Sequence, residues 1–292
     1  MSLDLPGPLL LLGATGLLGQ AVRRAAGQRS LQVIGVARSG AAELQLDLTD
    51  AAAVEAAFDR CRPSLVINAA AETNLEACER DPGRAYLINA RLPGLVASLS
   101  QRHAARFVQV STDHYHRGDG NRLHAESEPV RLLNEYARTK YAGEAFALTA
   151  PGTLIVRTNI VGFRGWQGRP TFVEWALGAL RSQAPFSAFE DMWTSSIDVH
   201  AFAEHLFGLV DRGAVGIVNL AAREASSKLE FIRLLARRAG LDDSHAVPAS
   251  VHGVSGIPRA DSLGLDVTRA ETLLGRRMPG TAEVVDALWN SI

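Results

Sequence analysis

The stretch Pro8-Leu9-Leu10-Leu11-Leu12, followed at once by Gly13-Ala14-Thr15-Gly16-Leu17-Leu18-Gly19, limits the possible folds of this chain more than any other. An apolar run this short fits a strand buried on both faces, as in a parallel sheet, better than a helix. The glycines at spacing Gly-x-x-Gly-x-x-Gly then open a segment with helical spacing over Leu17–Ala26. At such a strand-to-helix junction the first glycine permits a tight turn. The second lets backbone approach a pyrophosphate, and the third lets helix pack on strand. The helix N-terminus adds amides and a positive dipole end. Gly13, Thr15, Gly16, Leu17, Leu18 and Gly19 are therefore candidate dinucleotide-binding residues.

The pattern continues as alternating strands and helices. Strands are expected at Leu31–Ala37, Glu43–Asp47, Ser64–Asn68, Arg106–Ser111 and Thr153–Thr158. Helices are expected from the Thr49-Asp50 cap to Cys61, over Gly83–Arg102 and over Glu135–Leu148. This rhythm predicts an α/β fold, a Rossmann-type doubly wound parallel sheet between helices. Beyond Asn159 the rhythm changes to a loop over Phe163–Pro170 and mostly helical segments, with one clear strand at Gly216–Leu220. The expected division is a nucleotide-binding domain over 1–160 that regains a segment near 195–220. A smaller, mainly helical substrate lobe would take 161–194 and 221–292.

Thirty basic and 31 acidic residues leave a formal charge of −1, which excludes a pervasive positive field for nucleic acid or an anionic membrane. Two cysteines, Cys61 and Cys78, support neither a disulfide framework nor a cysteine zinc site. The apolar start lacks a basic region before it, and no stretch reaches the roughly 18 apolar residues of a membrane span, so a cytoplasmic location is expected. Of the 30 basic residues only Lys140 and Lys228 are lysine. So strong an arginine bias makes any one arginine weak evidence of function and any lysine notable. Lys228 itself reads as surface.

Tyr136 and Lys140 stand four apart on the helix expected after the fifth strand, hence on one face. A phenol with pKa of about 10 exchanges protons poorly at neutral pH, and an ammonium one turn away lowers that pKa. The same lysine can hold ribose hydroxyls, and its compact charge serves both partners better than a guanidinium. At the end of the fifth strand Thr112, 24 residues before Tyr136, can donate to an oxygen on which charge develops, with Ser111 as the competitor. Thr112, Tyr136 and Lys140 are the candidate catalytic residues.

The Gly-x-x-Gly-x-x-Gly form resembles that of the extended short-chain dehydrogenase/reductases. Arg38 stands nineteen residues after Gly19, where an acidic residue would favour NAD, so NADP(H) is preferred and NAD(H) remains accommodated. By the same resemblance Asp47 and Leu48 contact adenine, Ala69, Ala70 and Ala71 lie under the ribose, and Asn89 belongs to the cofactor site. Val110-Ser111-Thr112-Asp113, the Asn68–Ala71 strip, Tyr136 with Lys140, and Arg157-Thr158 together resemble the dTDP-4-dehydrorhamnose reductase family. That resemblance implies NADPH-dependent reduction of a nucleotide-diphospho-4-keto-6-deoxy sugar. It makes Thr73, Asp113, His114 and Asn159 candidate substrate contacts and is compatible with a homodimer. The departures concern the sugar site: His114 and His116 replace aromatic and apolar positions, Asn159-Ile160 replaces the family's Ser-Trp, and Asp191-Met192-Trp193-Thr194-Ser195-Ser196 stands for an Asp-x-Tyr-x-x-Pro-like segment. Asp113, His114 and His116 could be read as metal ligands, but the preferred reading is no metal, with the histidines lining a pocket mouth. The alternatives are an epimerase with tightly bound NAD(P) and a non-catalytic NADP-binding regulatory subunit, as in relatives that serve methionine adenosyltransferase.

Overall fold

Leu9–Leu12 lies at the middle of a sheet and is buried along its whole length. It pairs in parallel with Val33–Ala37 on one side and Leu65–Asn68 on the other, leaving no polar side for a solvent-facing residue to occupy. The computed structural model containing it describes residues 6–166 and 169–291; Gln167 and Gly168, within the expected Phe163–Pro170 loop, lie outside them. Two compact units are present. The first comprises Met1–Thr112, Asn134–Arg157 and Ala203–Val218; the second comprises Asp113–Leu133, Thr158–Phe202 and Asn219–Ile292.

The sheet of the first unit has seven strands in the order Gly216–Asn219, Leu154–Arg157, Arg106–Val110, Leu65–Asn68, Leu9–Leu12, Val33–Ala37 and Leu44–Gln45. The order reverses about Leu9–Leu12, as in doubly wound folds, whose ligands bind outside the carboxyl ends of the strands. Its core joins Leu10, Leu12, Val66 and Ile155 of the strands to Phe58, Leu92 and Val96 of the helices. Asp50 caps Ala51–Cys61 by accepting from the amides of Ala52 and Ala53, as the sequence predicts. The helix expected over Gly83–Arg102 is broken into three consecutive pieces: Pro82–Tyr86, a π-helical turn at Leu87–Arg91, and Leu92–Arg102.

The second unit packs Val173, Leu177 and Leu180 of helix Phe172–Ser182 against Phe231, Ile232 and Leu235 of helix Lys228–Ala239 and Val284 and Leu288 of helix Thr281–Trp289. Thr171 with Glu174, and Ser227 with Glu230, form capping boxes that fix where the first two of these helices begin. Beside them lies a four-stranded sheet in the order Ser226–Ser227, Trp193–Thr194, Ser262–Leu265 and Leu123–His124. Two further strand pairs join Ile160–Val161 to Ile197–Asp198 and Phe186–Phe189 to Ala246–Ala249. Strands of two to four residues are too short for alternation to show, which is why the sequence predicts mostly helix here. Asp113–Leu133 also belongs to the second unit, whereas the sequence places it in the first.

Candidate active site

The glycine turn has the geometry its spacing requires. Gly13 sits at φ +82, and a Cβ there would lie 2.8 Å from the amide nitrogen of Ala70. A Cβ on Gly19 would lie 2.2 Å from the Gly13 carbonyl oxygen, so only glycine lets helix Leu17–Gln28 approach the strand so closely. Gly16 is the helix N-cap; no side chain caps that end, and the first turn holds no acidic residue. Uncapped amides at the positive end of a helix are a donor set suited to a pyrophosphate. Nearby, the exposed Arg38 follows strand Val33–Ala37, and the acidic residue closest to it in sequence, Glu43, is already committed. Glu43 accepts from Arg23 at 2.6 and 2.7 Å and from the Gly35 amide at 2.7 Å. The Arg23 bonds hold the Glu43 carboxyl down at about 2. Asp47 accepts from the Thr49 amide and hydroxyl, which hold its carboxyl below the usual range, with Arg84 and Arg38 adding to the effect.

Asn68 ends its strand buried, donating to Gln109 at 2.8 Å and accepting from the Ala70 amide, which shapes the Ala69–Ala71 strip. Asn89, a candidate cofactor-site residue, is bonded to groups of the protein itself. It is buried in the π-helical turn, accepts from the Glu72 amide, and donates to the Glu72 carbonyl and the Thr139 hydroxyl. Its side-chain amide thus braces the loop after the Ala strip against the Tyr136 helix. Thr73, next to Glu72, is exposed.

Helix Glu135–Ala147 carries the candidate catalytic pair, and its start is fixed by Asn134, which accepts from the Ala137 amide at 2.9 Å. Tyr136, Lys140 and Glu144 follow at four-residue steps along one face, all buried. Gly143 allows close contact on the adjacent face, since a Cβ there would fall 2.0 Å from the Asn89 carbonyl oxygen. The Lys140 ammonium donates to the Val110 carbonyl at 2.8 Å, tying the helix to the end of the fifth strand. Burial lowers the Lys140 pKa to about 8, opposed by Glu144. The ammonium is present below that value and lost above it, so turnover is expected to fall as pH rises through about 8. A kcat profile that stays flat to a pH of about 10 would overturn this role.

Ser111 and Thr112 follow Val110, the last residue of its strand, and are both buried. The Ser111 hydroxyl donates to Glu144 at 2.5 Å, and Glu144 also takes the Arg157 guanidinium at 2.8 Å. The Ser111 hydroxyl is thereby bound to a buried ion pair, and both hydroxyls stand beside the candidate site.

Asp113, His114 and Asn159 all lie in the second unit. Asn159 donates to the buried Asp113 carboxylate at 2.7 Å, and His114 Nε2 lies 3.9 Å from the same carboxylate. Burial pushes the Asp113 carboxyl up, opposed first by His114, then by the Asn159 bond and Lys228. Lys228 is not the surface residue expected: its ammonium donates to Thr194 and rests 4.4 Å above the Phe172 ring.

His116 also departs from its expected place at a pocket mouth. It is buried, its ring stacked on that of His124 with centroids 3.8 Å apart and planes 5° apart. Glu128 bonds His124 Nδ1 at 3.0 Å, and ligand atoms of these three residues lie within 4.8 Å of one another. Parallel rings hold their in-plane lone pairs in two separate parallel planes, so the two imidazoles do not converge on one ion as placed.

Compared with known proteins, residues 7–291 match the family described as RmlD substrate binding domain. A dTDP-4-dehydrorhamnose reductase of Mycobacterium tuberculosis is 32% identical over 83% of this chain and 79% of its own. Methionine adenosyltransferase 2 subunit beta of Xenopus tropicalis is 29% identical over 96% of this chain and 86% of its own. The crystal structure of a dTDP-4-dehydrorhamnose reductase from Bacillus anthracis in complex with NADP aligns over 100% of both chains with a TM-score of 0.88 at 23% identity, a likeness of fold. With the glycine turn, the Tyr136/Lys140 helix and this match over nearly its whole length, the chain belongs to the RmlD substrate-binding-domain family, which includes dTDP-4-dehydrorhamnose reductases.

Proposed function

We propose that this chain is an NADP(H)-dependent reductase of a nucleotide-diphospho-4-keto-6-deoxy sugar. One observation carries the reading: Lys140 is buried one helical turn from Tyr136, with its ammonium held on the Val110 carbonyl. A phenol so placed gains little from solvent and much from a fixed cation, which is the setting a general acid near neutral pH requires.

When bound, the nicotinamide supplies hydride to the ketone carbon. Tyr136 gives its proton to the ketone oxygen, while Lys140 favours the phenolate left behind and holds ribose hydroxyls. The Thr112 hydroxyl donates to the same oxygen as charge builds on it. Gly13, Thr15, Gly16, Leu17, Leu18 and Gly19 present backbone to the pyrophosphate, and Arg38 pairs with the 2′-phosphate. Asp47 and Leu48 take the adenine, and Ala69, Ala70 and Ala71 leave room for ribose. Thr73, Asp113, His114 and Asn159 serve the sugar nucleotide. No helix among the described residues is long and apolar enough to cross a membrane, and the reading places the reaction in the cytoplasm.

The test is consumption of NADPH, followed by absorbance, with dTDP-, UDP- and GDP-linked 4-ketosugars. Ketosugar-dependent oxidation is expected with at least one of them, and none with any would overturn the proposal. Turnover without added NADPH would identify an epimerase. A stoichiometric protein partner with no reduction would identify a regulatory subunit, as the name of the Xenopus relative suggests.

Two neighbouring substitutions separate the hydroxyls. Thr112→Val is expected to cut kcat about 10²-fold, as loss of one donor to a developing oxyanion does. Ser111→Ala should leave turnover nearly intact and cost about 2 kcal/mol of stability, since its hydroxyl serves the Glu144 carboxylate. Urea unfolding and steady-state kinetics on the two variants read both effects; the reverse pattern would exchange their roles.

A further inference from the structure

In the second unit a chain of hydrogen bonds runs in one direction from Lys228 to Asp113. The Lys228 ammonium donates to the Thr194 hydroxyl at 3.3 Å, and the Thr194 and Ser196 hydroxyls lie 3.1 Å apart. Ser196 donates to the Asn159 side-chain carbonyl at 2.8 Å, and the Asn159 amide donates to Asp113 at 2.7 Å. Because Ser196 spends its hydrogen on Asn159, the hydrogen between Thr194 and Ser196 belongs to Thr194. Each member then accepts from one side and donates to the other, from the cation at one end to the carboxylate at the other. Thr194 and Ser196 are buried, so water does not compete for these groups.

Lys228 is hard to explain as a stabilising residue. It is the first residue of helix Lys228–Ala239, where the positive end of the dipole disfavours a cation. The packing around it desolvates the ammonium and lowers its pKa to about 8, against the pull of Asp113. A Phe172 ring and one neutral hydroxyl are modest compensation. An arginine, so common elsewhere in the chain, would bring a planar fork where a single point donor meets Thr194.

We propose that Lys228 is a positioning residue: through the Thr194–Ser196–Asn159 relay and its charge it keeps Asp113 ionised and aimed, ready to accept a hydrogen bond from a hydroxyl of the sugar nucleotide. The inference rests on the reading of Asp113 as a substrate contact. Lys228 touches the sugar through no atom of its own and acts on Asp113. The orientation of Asn159 follows from both ends: the Ser196 hydroxyl donates to its carbonyl and the Asp113 carboxylate accepts from its amide.

The charged and titratable groups that face this pair in the unit are few. Asp113 is faced by His114 and Lys228, and His114 in turn is affected by Asp113, Lys228 and Arg259. Burial disfavours the charge on both Asp113 and His114, and Lys228 supports the Asp113 charge after His114 and the Asn159 bond.

The test reads Asp113 directly, in the full chain labelled with 13C-carboxyl aspartate, with Asp113→Asn assigning the signal. Lys228→Met is expected to raise the Asp113 titration midpoint by about one pH unit or more. Thr194→Val, which keeps the charge and cuts the relay, should raise it by less. A midpoint unchanged in both variants would overturn the inference, whether or not the chain reduces any ketosugar. The second readout is kinetic. Lys228→Met should raise KM for the ketosugar about tenfold with kcat nearly unchanged, a difference that shrinks as pH rises and Asp113 ionises. In an Asp113→Asn background the Lys228→Met effect on KM should vanish; independent, additive effects would overturn the coupling. If the midpoint moves but no ketosugar is turned over by the parent chain, it is the assigned function that fails.

Discussion

Replacing Tyr136 with Phe is expected to lower kcat about 10³-fold and to leave NADPH affinity within about twofold of the parent chain's. The ring fills the same buried space beside Cys78 and Ala85, so the substitution removes the hydroxyl and little else. Lys140 remains on the Val110 carbonyl and can still hold ribose. Isothermal titration with NADPH and a single-turnover measurement with ketosugar separate the two effects. Turnover near the parent rate would remove Tyr136 from the chemistry. A parallel loss of NADPH affinity would instead mean that the hydroxyl serves the cofactor.

Replacing Glu144 with Ala is expected to destabilise the first unit by about 3–5 kcal/mol. Glu144 and Arg157 are buried to 2% and 3% exposure, and the carboxylate takes two guanidinium nitrogens and the Ser111 hydroxyl. Its removal strands a guanidinium in the core, which costs far more than the pair contributes over an apolar substitute. It also removes the one charge that opposes the lowering of the Lys140 pKa. Urea unfolding should show the loss of stability, and any folded fraction should lose turnover at a lower pH than the parent. A variant of parent stability would show that the core absorbs the unpaired guanidinium by rearrangement or water entry.

Where a residue type has one mechanical job, the sequence could be read directly. Gly13 and Gly19 could be assigned from spacing because each occupies a place that a Cβ would collide with, and Asp50 from the preference of carboxylates for helix N-termini. Four-residue spacing on a helix was enough to place Tyr136 beside Lys140. What could not be read depends on contacts distant in sequence. Asn89 looks like any polar helix residue until Glu72 and Thr139 are found on its amide. Ser111 is bound to Glu144, thirty-three residues away, which nothing local in the sequence announces. Lys228 reads as surface because nothing local announces Thr194, Ser196 and Phe172 around it. Its rarity in an arginine-rich chain was a usable signal, and Asn134, two residues before Tyr136, was another.

The phenol, ammonium and carboxylate on helix Glu135–Ala147 also determine how the length of this chain can change over evolution. Adding one residue between Tyr136 and Glu144 turns the two ends about 100° relative to each other. Asn134 would still start the helix, and the carboxylate would swing away from Arg157 to the exposed place that Ala145 now holds. Length variation is therefore closed to this helix and must fall instead in segments outside it, such as Phe163–Pro170. Sequence drift can alter most of the side chains along the helix, but the count of residues between its two charged anchors is fixed.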